Sequence, residues 1–401
     1  MWTFIYCNTL ATGLRTLNSI CISNHCKTLL TPWTRKVYYN KHQVQTSRHL
    51  ASKPPWRVLF FGSDDFALES LKLLHASSLE ANGRVVGTLE VVTLTHAAPV
   101  WKYAHRHQLR VHDWPDVDVQ GRFDVGVVVS FGCLLKESLI KQLPLGILNV
   151  HPSLLPRWRG PAPVFHTVLH GDKLTGVSIM QIRPLRFDVG PILHQEVCEV
   201  PPRCTADELG HTLANVGARL LMDTLKSLPE RISQRREQAR EGASFAPKIS
   251  VSMSWLVWED QTCDQINRLY RAIGSRIPLR TMWMGRTVKL LDHVGKCNIS
   301  LAGSPSSVPG SICFQKETNT LAVRCQDGWV GFKTVKLKKR LSAADFYNGY
   351  LHQNILAKSR MATECVFRSV RDGPSSAGTR THTDTDTPRT THTLLMSKTS
   401  H

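Results

Sequence analysis

The first segment with a regular hydrophobic pattern begins after residue 55. Arg57-Val-Leu-Phe-Phe61 is a short continuous apolar run, and the polar turn Gly62-Ser-Asp-Asp65 that follows it contains residues that cap helices. Beyond the turn, apolar residues recur at the spacing of one helix face, at Phe66, Leu68, Leu71, Leu74 and Leu79. The pattern predicts a strand followed by a helix, which is how a βα unit begins.

Two later apolar runs predict further strands of the same sheet. Val125-Gly-Val-Val-Val-Ser130 and Gly146-Ile-Leu-Asn-Val150 have the continuous character of strands that are covered on both faces. Thr205-Ala-Asp-Glu208 then makes a capping box, and apolar residues follow it at helical spacing. We therefore predict an α/β domain with a Rossmann-like parallel sheet over residues 54–228.

The second half of the chain has a different pattern. Residues 229–250 begin polar and charge-rich and are predicted to form a linker. Beyond them, Thr287–Leu291, Thr320–Arg324 and Trp329–Lys333 have the pattern of short strands separated by turn residues, which predicts a small OB-like β-barrel domain over residues 251–357. Residues 358–401 are rich in Thr, Ser and Arg, and we predict a disordered tail there.

Charge adds information about both ends of the molecule. Lys and Arg number 50 against 31 Asp and Glu, and the resulting formal charge of +19 favours association with polyanions such as nucleic acid. Residues 1–53 carry seven of these basic residues and no acidic one, which predicts a mitochondrial transit peptide; a basic arm that binds nucleic acid is the alternative. No apolar run approaches the length of a membrane span, and no two cysteines have C-x-x-C spacing.

Candidate chemistry lies at the strand ends, where ligands bind in open parallel sheets. Asn149 and His151 are two positions apart at the end of a predicted strand, so their side chains point to the same side while Val150 points into the core. Asp188 is a lone carboxylate in a turn before another apolar strand. A carboxylate near an imidazole would orient it and favour its charged form, although Asp188 taken alone is more simply a turn residue.

From about Arg57 to His352 the sequence resembles the methionyl-tRNA formyltransferases, a family that uses 10-formyltetrahydrofolate. Two long motifs carry the resemblance, Leu148-Asn-Val-His-Pro-Ser-Leu-Leu-Pro-Arg-Trp-Arg-Gly160 and Asp188-Val-Gly-Pro-Ile192. The resemblance implies a catalytic triad of Asn149, His151 and Asp188. It also implies folate contacts from Ser130, Phe131, Gly132, Leu134 and Leu135. The proline-rich loop after His151 is expected to wall the pocket as a substrate loop, with Ser153, Leu154, Leu155, Pro156, Arg157, Arg159 and Gly160.

The resemblance implies a mechanism that needs no metal. An amine attacks the formyl carbon, Asn149 and protonated His151 stabilise the negative oxygen that develops, and Asp188 maintains the histidine charge and helps to transfer the proton. The expected reaction moves a formyl group from 10-formyltetrahydrofolate to the α-amino group of methionine on initiator methionyl-tRNA. It would take place in the mitochondrial matrix, be catalysed by a monomer and serve the initiation of organelle translation.

Basic residues of the second domain are the expected tRNA contacts under the same resemblance. They are Arg280, Arg286, Lys333, Lys336, Lys338 and Lys339. The simpler interpretation of the lysine cluster is a solvated strand edge that is protected from aggregation. Two other functions stay open at this stage: a relative with the same triad that acts on another amine or on water, and a catalytically silent RNA-binding protein. The basic second domain disfavours the first, and the intact triad disfavours the second.

Overall fold

The structure, a computed structural model, describes residues 52–299, 307–352 and 366–370. The predicted transit peptide, residues 1–53, lies outside the described residues apart from its last two positions. Most of the predicted tail, residues 358–401, also lies outside them. Among the described residues, no helix is both long and apolar enough to cross a membrane.

The first domain is a seven-stranded sheet with the strand order β3-β2-β1-β4-β5-β6-β7. Its strands are β1 (Trp56–Gly62), β2 (Val86–Thr93), β3 (Arg110–Asp113), β4 (Val125–Val129), β5 (Ile147–His151), β6 (Leu174–Gln181) and β7 (Ile192–Glu199). Its helices are α1 (Asp65–Leu79), α2 (Pro99–Arg106), α3 (Glu137–Lys141), α4 (Pro163–His170) and α5 (Ala206–Lys226). The predicted opening βα unit is confirmed, and so is the capping box at Thr205 and Glu208 that starts α5.

The Rossmann-like part of the sheet is parallel from β1 to β5, as predicted. Strands β6 and β7 run antiparallel to their neighbours, which the apolar patterns did not indicate. Antiparallel strands can be joined by a short turn, whereas parallel strands need a crossover connection. Residues 182–191 are such a turn, and Asp188 lies in it. The chain leaves β6 beside the start of β5, where the Ile182 N–H donates to the Ile147 carbonyl over 2.8 Å, and the turn then brings Asp188 beside Asn149.

The second domain is a six-stranded antiparallel sheet in which β10, β11, β12, β9 and β8 lie side by side and β13 pairs with β12. Its strands are β8 (Leu279–Trp283), β9 (Arg286–Cys297), β10 (Ile312–Gln315), β11 (Thr320–Arg324), β12 (Trp329–Lys336) and β13 (Arg340–Ser342). Its helices are α7 (Cys263–Ile273) and α8 (Ala343–Phe346), with a 3-10 turn at Val251–Ser254 and a π-helical turn at Tyr347–Leu351. The small β domain is confirmed, and its closure into an OB-like barrel stays a prediction.

A short segment far along the chain lies beside this sheet. Val366 bridges Ser311 before β10, Arg368 bridges Met282 in β8, and the Phe367 side chain between them is 1% exposed. The prediction of a disordered tail from residue 358 onward is therefore wrong for residues 366–370. Burial of one large aromatic side chain together with backbone pairing on both sides explains why this segment is fixed.

The predicted linker, residues 229–250, lies along the first domain. It begins within helix α6 (Leu228–Ser233). The backbone of Arg236 then exchanges hydrogen bonds of 2.9 and 2.7 Å with Ile192 of β7, and the Ala246 N–H donates to the Arg159 carbonyl over 2.7 Å. These bonds bring the linker against the loop that follows β5.

Candidate active site

A cavity of about 220 Å³ opens at the carboxyl ends of β4 and β5. Its walls come from the loop after β4, the end of β5, residues 160–165 and the turn at residues 186–188. Parallel strands end at one edge of the sheet, and the turn between β6 and β7 adds Arg186, Phe187 and Asp188 to the cavity wall. The cavity thus lies where the sequence predicted a ligand site.

The three residues of the predicted triad line this cavity. Asn149 and His151 lie on one side of β5, and Val150 between them is buried in the core. The Asn149 side-chain amide donates to Asp188 Oδ1 over 3.2 Å, and His151 Nδ1 lies 3.7 Å from the same oxygen. The amide of Asn149 and the imidazole of His151 therefore both face one oxygen of the Asp188 carboxylate.

The orientation of the His151 ring follows from its second nitrogen. His151 Nε2 lies 2.9 Å from the carbonyl oxygen of Trp158, which can only accept, so Nε2 carries a proton. Nδ1 is left facing Asp188 and the cavity. The His151 side chain is 5% exposed, so its position is set by the protein rather than by solvent. Nδ1 is the ring nitrogen that can exchange a proton at this site.

Asp188 is held in place by the loop after β5 and by the conformation of its own turn. Its φ of 53° lies in the left-handed region, which Asp tolerates better than most residues. Its Oδ2 accepts the Gly160 N–H over 2.9 Å. Two residues on, a Cβ at Gly190 would lie 1.7 Å from the Gln181 carbonyl oxygen, so only glycine fits there. The turn is thereby fixed with its carboxylate toward β5.

Gln238 is a residue of this site that the sequence analysis missed. Its side-chain amide donates to the carbonyl oxygens of Asp188 and Gly190, over 2.9 and 2.8 Å, and its Oε1 accepts two hydrogen bonds from Arg159, of 3.0 and 2.8 Å. One linker side chain therefore connects the Asp188 turn to the loop after β5. A polar residue in a charge-rich segment carries no local signal of such a role.

The segment after β4 forms one wall of the cavity. All five residues predicted to contact folate line it: Ser130, Phe131, Gly132, Leu134 and Leu135. Phe131 is buried, and its ring packs edge-to-face against Phe61 and Trp114 with centroid distances of 5.5 and 5.3 Å. This wall is apolar and anchored to the core, which suits a flat aromatic ligand.

The predicted substrate loop is divided by the structure. Gly160 lines the cavity, whereas Ser153, Leu154, Leu155, Pro156, Arg157 and Arg159 do not. Their described contacts hold the loop in shape: the Ser153 hydroxyl donates to the Arg157 carbonyl over 2.7 Å, and the Arg157 guanidinium forms an ion pair of 2.6 Å with Asp172. Both ends of this loop line the cavity, at Pro152 and at Gly160, and the role of the residues between them as a substrate loop stays a prediction.

The six predicted tRNA-binding residues lie in the second domain with unequal exposure. Lys336, Lys338 and Lys339 are exposed around the turn from β12 to β13, and Arg286 is exposed at the start of β9. Lys333 is partly buried and donates to the Thr318 carbonyl, and Arg280 is partly buried within β8. The lysine cluster at the β12–β13 turn is the part of this set best placed to meet a phosphate backbone.

Comparison with known proteins gives consistent matches over both domains. Residues 92–225 match the sequence model of the family described as formyl transferase, and residues 248–351 match that of the formyl transferase C-terminal domain. The chain is similar to the mitochondrial methionyl-tRNA formyltransferase of Homo sapiens, with 54% identity over 329 residues, which cover 80% of this chain and 84% of that protein. The Bos taurus protein of the same name is 51% identical over 80% of this chain and 85% of its own.

A solved structure supports the fold. An N-formyltransferase from Helicobacter canadensis, in complex with folinic acid and dTDP-3-aminofucose, superposes with a TM-score of 0.50 at 15% identity, covering 71% of this chain and 99% of that one. At that identity the likeness concerns the architecture alone.

Proposed function

Because the chain belongs to the family of the mitochondrial methionyl-tRNA formyltransferases, we propose that it transfers a formyl group from 10-formyltetrahydrofolate to the α-amino group of methionine on initiator methionyl-tRNA. We place the reaction in the mitochondrial matrix, where the product would start translation, and we propose a monomeric enzyme. The observation that carries the proposal is the meeting of Asn149, His151 and Asp188 at the cavity, with Asp188 Oδ1 3.2 Å from the amide and 3.7 Å from the imidazole.

The geometry suggests a separate chemical role for each of the three side chains. Asn149 can present an N–H to the oxygen that becomes negative when an amine attacks a formyl carbon, and His151 can present a proton on Nδ1. Asp188 can accept a proton from the attacking amine, directly or through the imidazole, for delivery to the leaving nitrogen of the folate. Because His151 Nε2 is occupied by the Trp158 carbonyl, a proton that passes through the imidazole must use Nδ1.

The formyl donor is proposed to occupy the cavity beside the Ser130–Leu135 segment. The apolar surface of Phe131, Leu134 and Leu135 suits the pterin ring, and the triad lies across the same cavity. The tRNA is proposed to lie against the second domain, with phosphates near Lys336, Lys338 and Lys339. Its 3′ end, which carries the methionine, would then reach the cavity. The relatives are named mitochondrial, which supports the location.

The direct test is transfer of a labelled formyl group. The protein is incubated with formyl-labelled 10-formyltetrahydrofolate and methionyl-tRNA, and the label is expected on the aminoacyl-tRNA. Label found on water or on a small amine would assign the chain to another formyl transferase reaction. Uncharged tRNA and elongator methionyl-tRNA are the substrate controls, since the first lacks the amine and the second tests initiator selectivity.

Variants connect the activity to the site. Asp188→Asn and His151→Ala should each lower kcat by about a hundredfold or more, which is the loss usual for a group that stabilises the transition state. Asp223→Asn and His211→Ala remove the same chemical groups from exposed positions on α5 and should leave kcat unchanged. Near-normal rates for both triad variants would show that the chemistry is performed elsewhere.

A further inference from the structure

A second carboxylate, Asp64, lies just behind the cavity wall. It is 7% exposed and does not line the cavity itself. Its Oδ1 accepts the Ala67 N–H over 3.1 Å as the N-cap of α1. Its Oδ2 accepts the hydroxyl of Ser130 over 2.6 Å. The two oxygens of one side chain therefore bind two different elements.

Both of those elements form walls of the cavity. Phe66 in the first turn of α1 lines it, and so does Ser130 at the start of the segment that follows β4. Ser130 has a φ of 48°, a conformation that L-residues adopt rarely and at a cost. A charge-assisted hydrogen bond from its side chain is the kind of contact that holds a residue in such a conformation.

We propose that Asp64 is a positioning residue of the folate site, which fixes the Ser130–Leu135 wall relative to α1 through the Ser130 hydroxyl. This inference rests on the proposed assignment of the cavity to the folate. Asp64 acts on the ligand through Ser130 and contacts no reacting atom. Loss of the link should loosen the wall that meets the pterin, and so lower affinity for the folate more than it lowers the rate of transfer at saturation.

The ionisation of Asp64 gives this link a pH dependence. Burial raises the pKa of Asp64 from 3.8 to about 6 and is the largest cause of the shift. The hydrogen bonds from Ser130 and Ala67 lower the pKa, and the nearby charge of Asp65 raises it further. Above that pH the carboxylate accepts a charge-assisted bond from Ser130, and below it the neutral acid makes a weaker one. The contribution of Asp64 to folate binding should therefore fade as the pH falls through about 6.

The variant Asp64→Ser separates positioning from helix capping. A serine at an N-cap accepts the backbone N–H about as well as aspartate does, but its single short oxygen cannot also hold Ser130. Ser130→Ala removes the other half of the bond, and the double variant tests whether the two residues act as one unit. The probe is folinic acid, a formylated folate, whose Kd is measured by calorimetry on the full chain at pH 7.5 and at pH 5.5.

We expect the Kd of Asp64→Ser for folinic acid to be about tenfold higher than that of the wild type at pH 7.5. Its unfolding temperature should stay close to that of the wild type. In formyl transfer, the KM for the folate should rise much more than kcat falls. Ser130→Ala should match it, and the double variant should be no worse than either. The advantage of the wild type over Asp64→Ser should shrink at pH 5.5. Comparing the two proteins at each pH cancels pH effects that do not depend on Asp64.

Three outcomes overturn the inference, and they are distinguishable. If the wild type binds folinic acid and Asp64→Ser binds it equally well at both pH values, Asp64 is a helix cap only. If the wild type does not bind folinic acid, the assignment of the cavity to the folate fails, and the inference fails with it. Additive losses in the double variant would likewise show that Asp64 and Ser130 act separately.

Discussion

The side-chain amide of Asn149 donates to Asp188 Oδ1 over 3.2 Å, although the two residues are 39 positions apart in the sequence. They meet because the connection that follows β6 brings Asp188 beside Asn149 in β5. The same carboxylate oxygen lies 3.7 Å from His151 Nδ1. The proposed chemistry thus depends on the position of one turn, and the contacts that fix this turn are the first place to test it.

Gln238 is the side chain that ties this turn to the linker. Gln238→Ala removes its hydrogen bonds to the Asp188 and Gly190 carbonyls and to Arg159, and we expect kcat to fall roughly tenfold because Asp188 loses its fixed position. Gln238→Glu should be equally slow, since a carboxylate can accept from Arg159 but cannot donate to the two carbonyls. Steady-state kinetics with both substrates saturating measure the change.

The control for Gln238 is Gln234→Ala. Gln234 is an exposed linker residue just after α6, and its side chain donates to Glu230 of that helix. It should leave kcat unchanged. If Gln238→Glu were as active as the wild type, the contact with Arg159 would matter and the link to Asp188 would not.

These contacts show what the sequence could and could not predict. Alternation along one strand was enough to place Asn149 and His151 together, because side chains two apart on a strand share a face. Asp188 was assigned to the same site only through the resemblance, because strand direction is not encoded in a local apolar run and no short pattern joins Asp188 to β5. Gln238 carries no pattern at all, because its role arises from where the linker lies.

The same limit applies to the second domain. Its strands were predictable from short apolar runs between turn residues. The position of residues 366–370 was not predictable, because three residues around one phenylalanine are too few to show the alternation of a strand. In the loop after β5, prolines predict a rigid backbone, but they do not tell that Arg157 binds Asp172 and that Arg159 binds Gln238.

Gly160 supplies the backbone N–H that binds Asp188 Oδ2 and has a φ of 114°. A Cβ at this position would lie 2.9 Å from the Ala246 carbonyl oxygen, so Gly160→Ala must move either the loop or the linker. We expect kcat to fall by at least about tenfold, with a loss of about 1 kcal/mol or more in the free energy of unfolding. Activity assays and denaturant titration measure the two effects.

Gly242→Ala is the matched control for backbone strain. Gly242 also has a positive φ, of 73°, but a Cβ there would meet nothing within 4 Å. It should show a similar or smaller loss of stability with normal kcat. Equal loss of activity in both variants would mean that strain in the loops, and not the position of Asp188, lowers the rate.

The lysine cluster at the β12–β13 turn predicts salt-dependent binding of tRNA. Neutralising Lys336, Lys338 and Lys339 to alanine should raise the Kd for methionyl-tRNA and reduce the slope of log Kd against log salt concentration by up to about 3, one for each phosphate that the variant no longer binds. The rate of transfer on bound substrate should not change, because these residues lie outside the cavity. Filter binding at several salt concentrations gives the slope.

A triple variant with the same charge change serves as its control. Lys72, Lys141 and Lys226 each pair with a carboxylate on their own helix, at 2.8, 2.7 and 2.9 Å, and all three belong to the first domain. Their replacement by alanine should leave the salt slope close to that of the wild type. Equal slopes for the two triple variants would indicate that net charge alone, rather than phosphate binding at the β12–β13 turn, attracts the tRNA.

His293 in β9 predicts a pH dependence of stability. Burial, partly offset by the hydrogen bond between its Nδ1 and the Gly331 carbonyl oxygen, lowers the pKa of His293 from 6.5 to about 4. Below pH 6.5 the unfolded chain binds a proton that the folded protein does not accept until about pH 4. The free energy of unfolding should therefore decrease as the pH falls from 6.5 toward 4. This one group lowers it by at most about 1.4 kcal/mol per pH unit.

His293→Asn tests the assignment, because asparagine can still donate to the Gly331 carbonyl but does not titrate. The variant should be less stable than the wild type at pH 7.5, since it fills less of the space between Tyr270 and Phe332. Its disadvantage should shrink as the pH is lowered from 6.5 to 4.5, measured by urea unfolding at each pH. His211→Asn, on an exposed face of α5, should keep the wild-type dependence. A constant difference between wild type and His293→Asn across that range would show that His293 protonates as readily in the folded protein as in the unfolded chain.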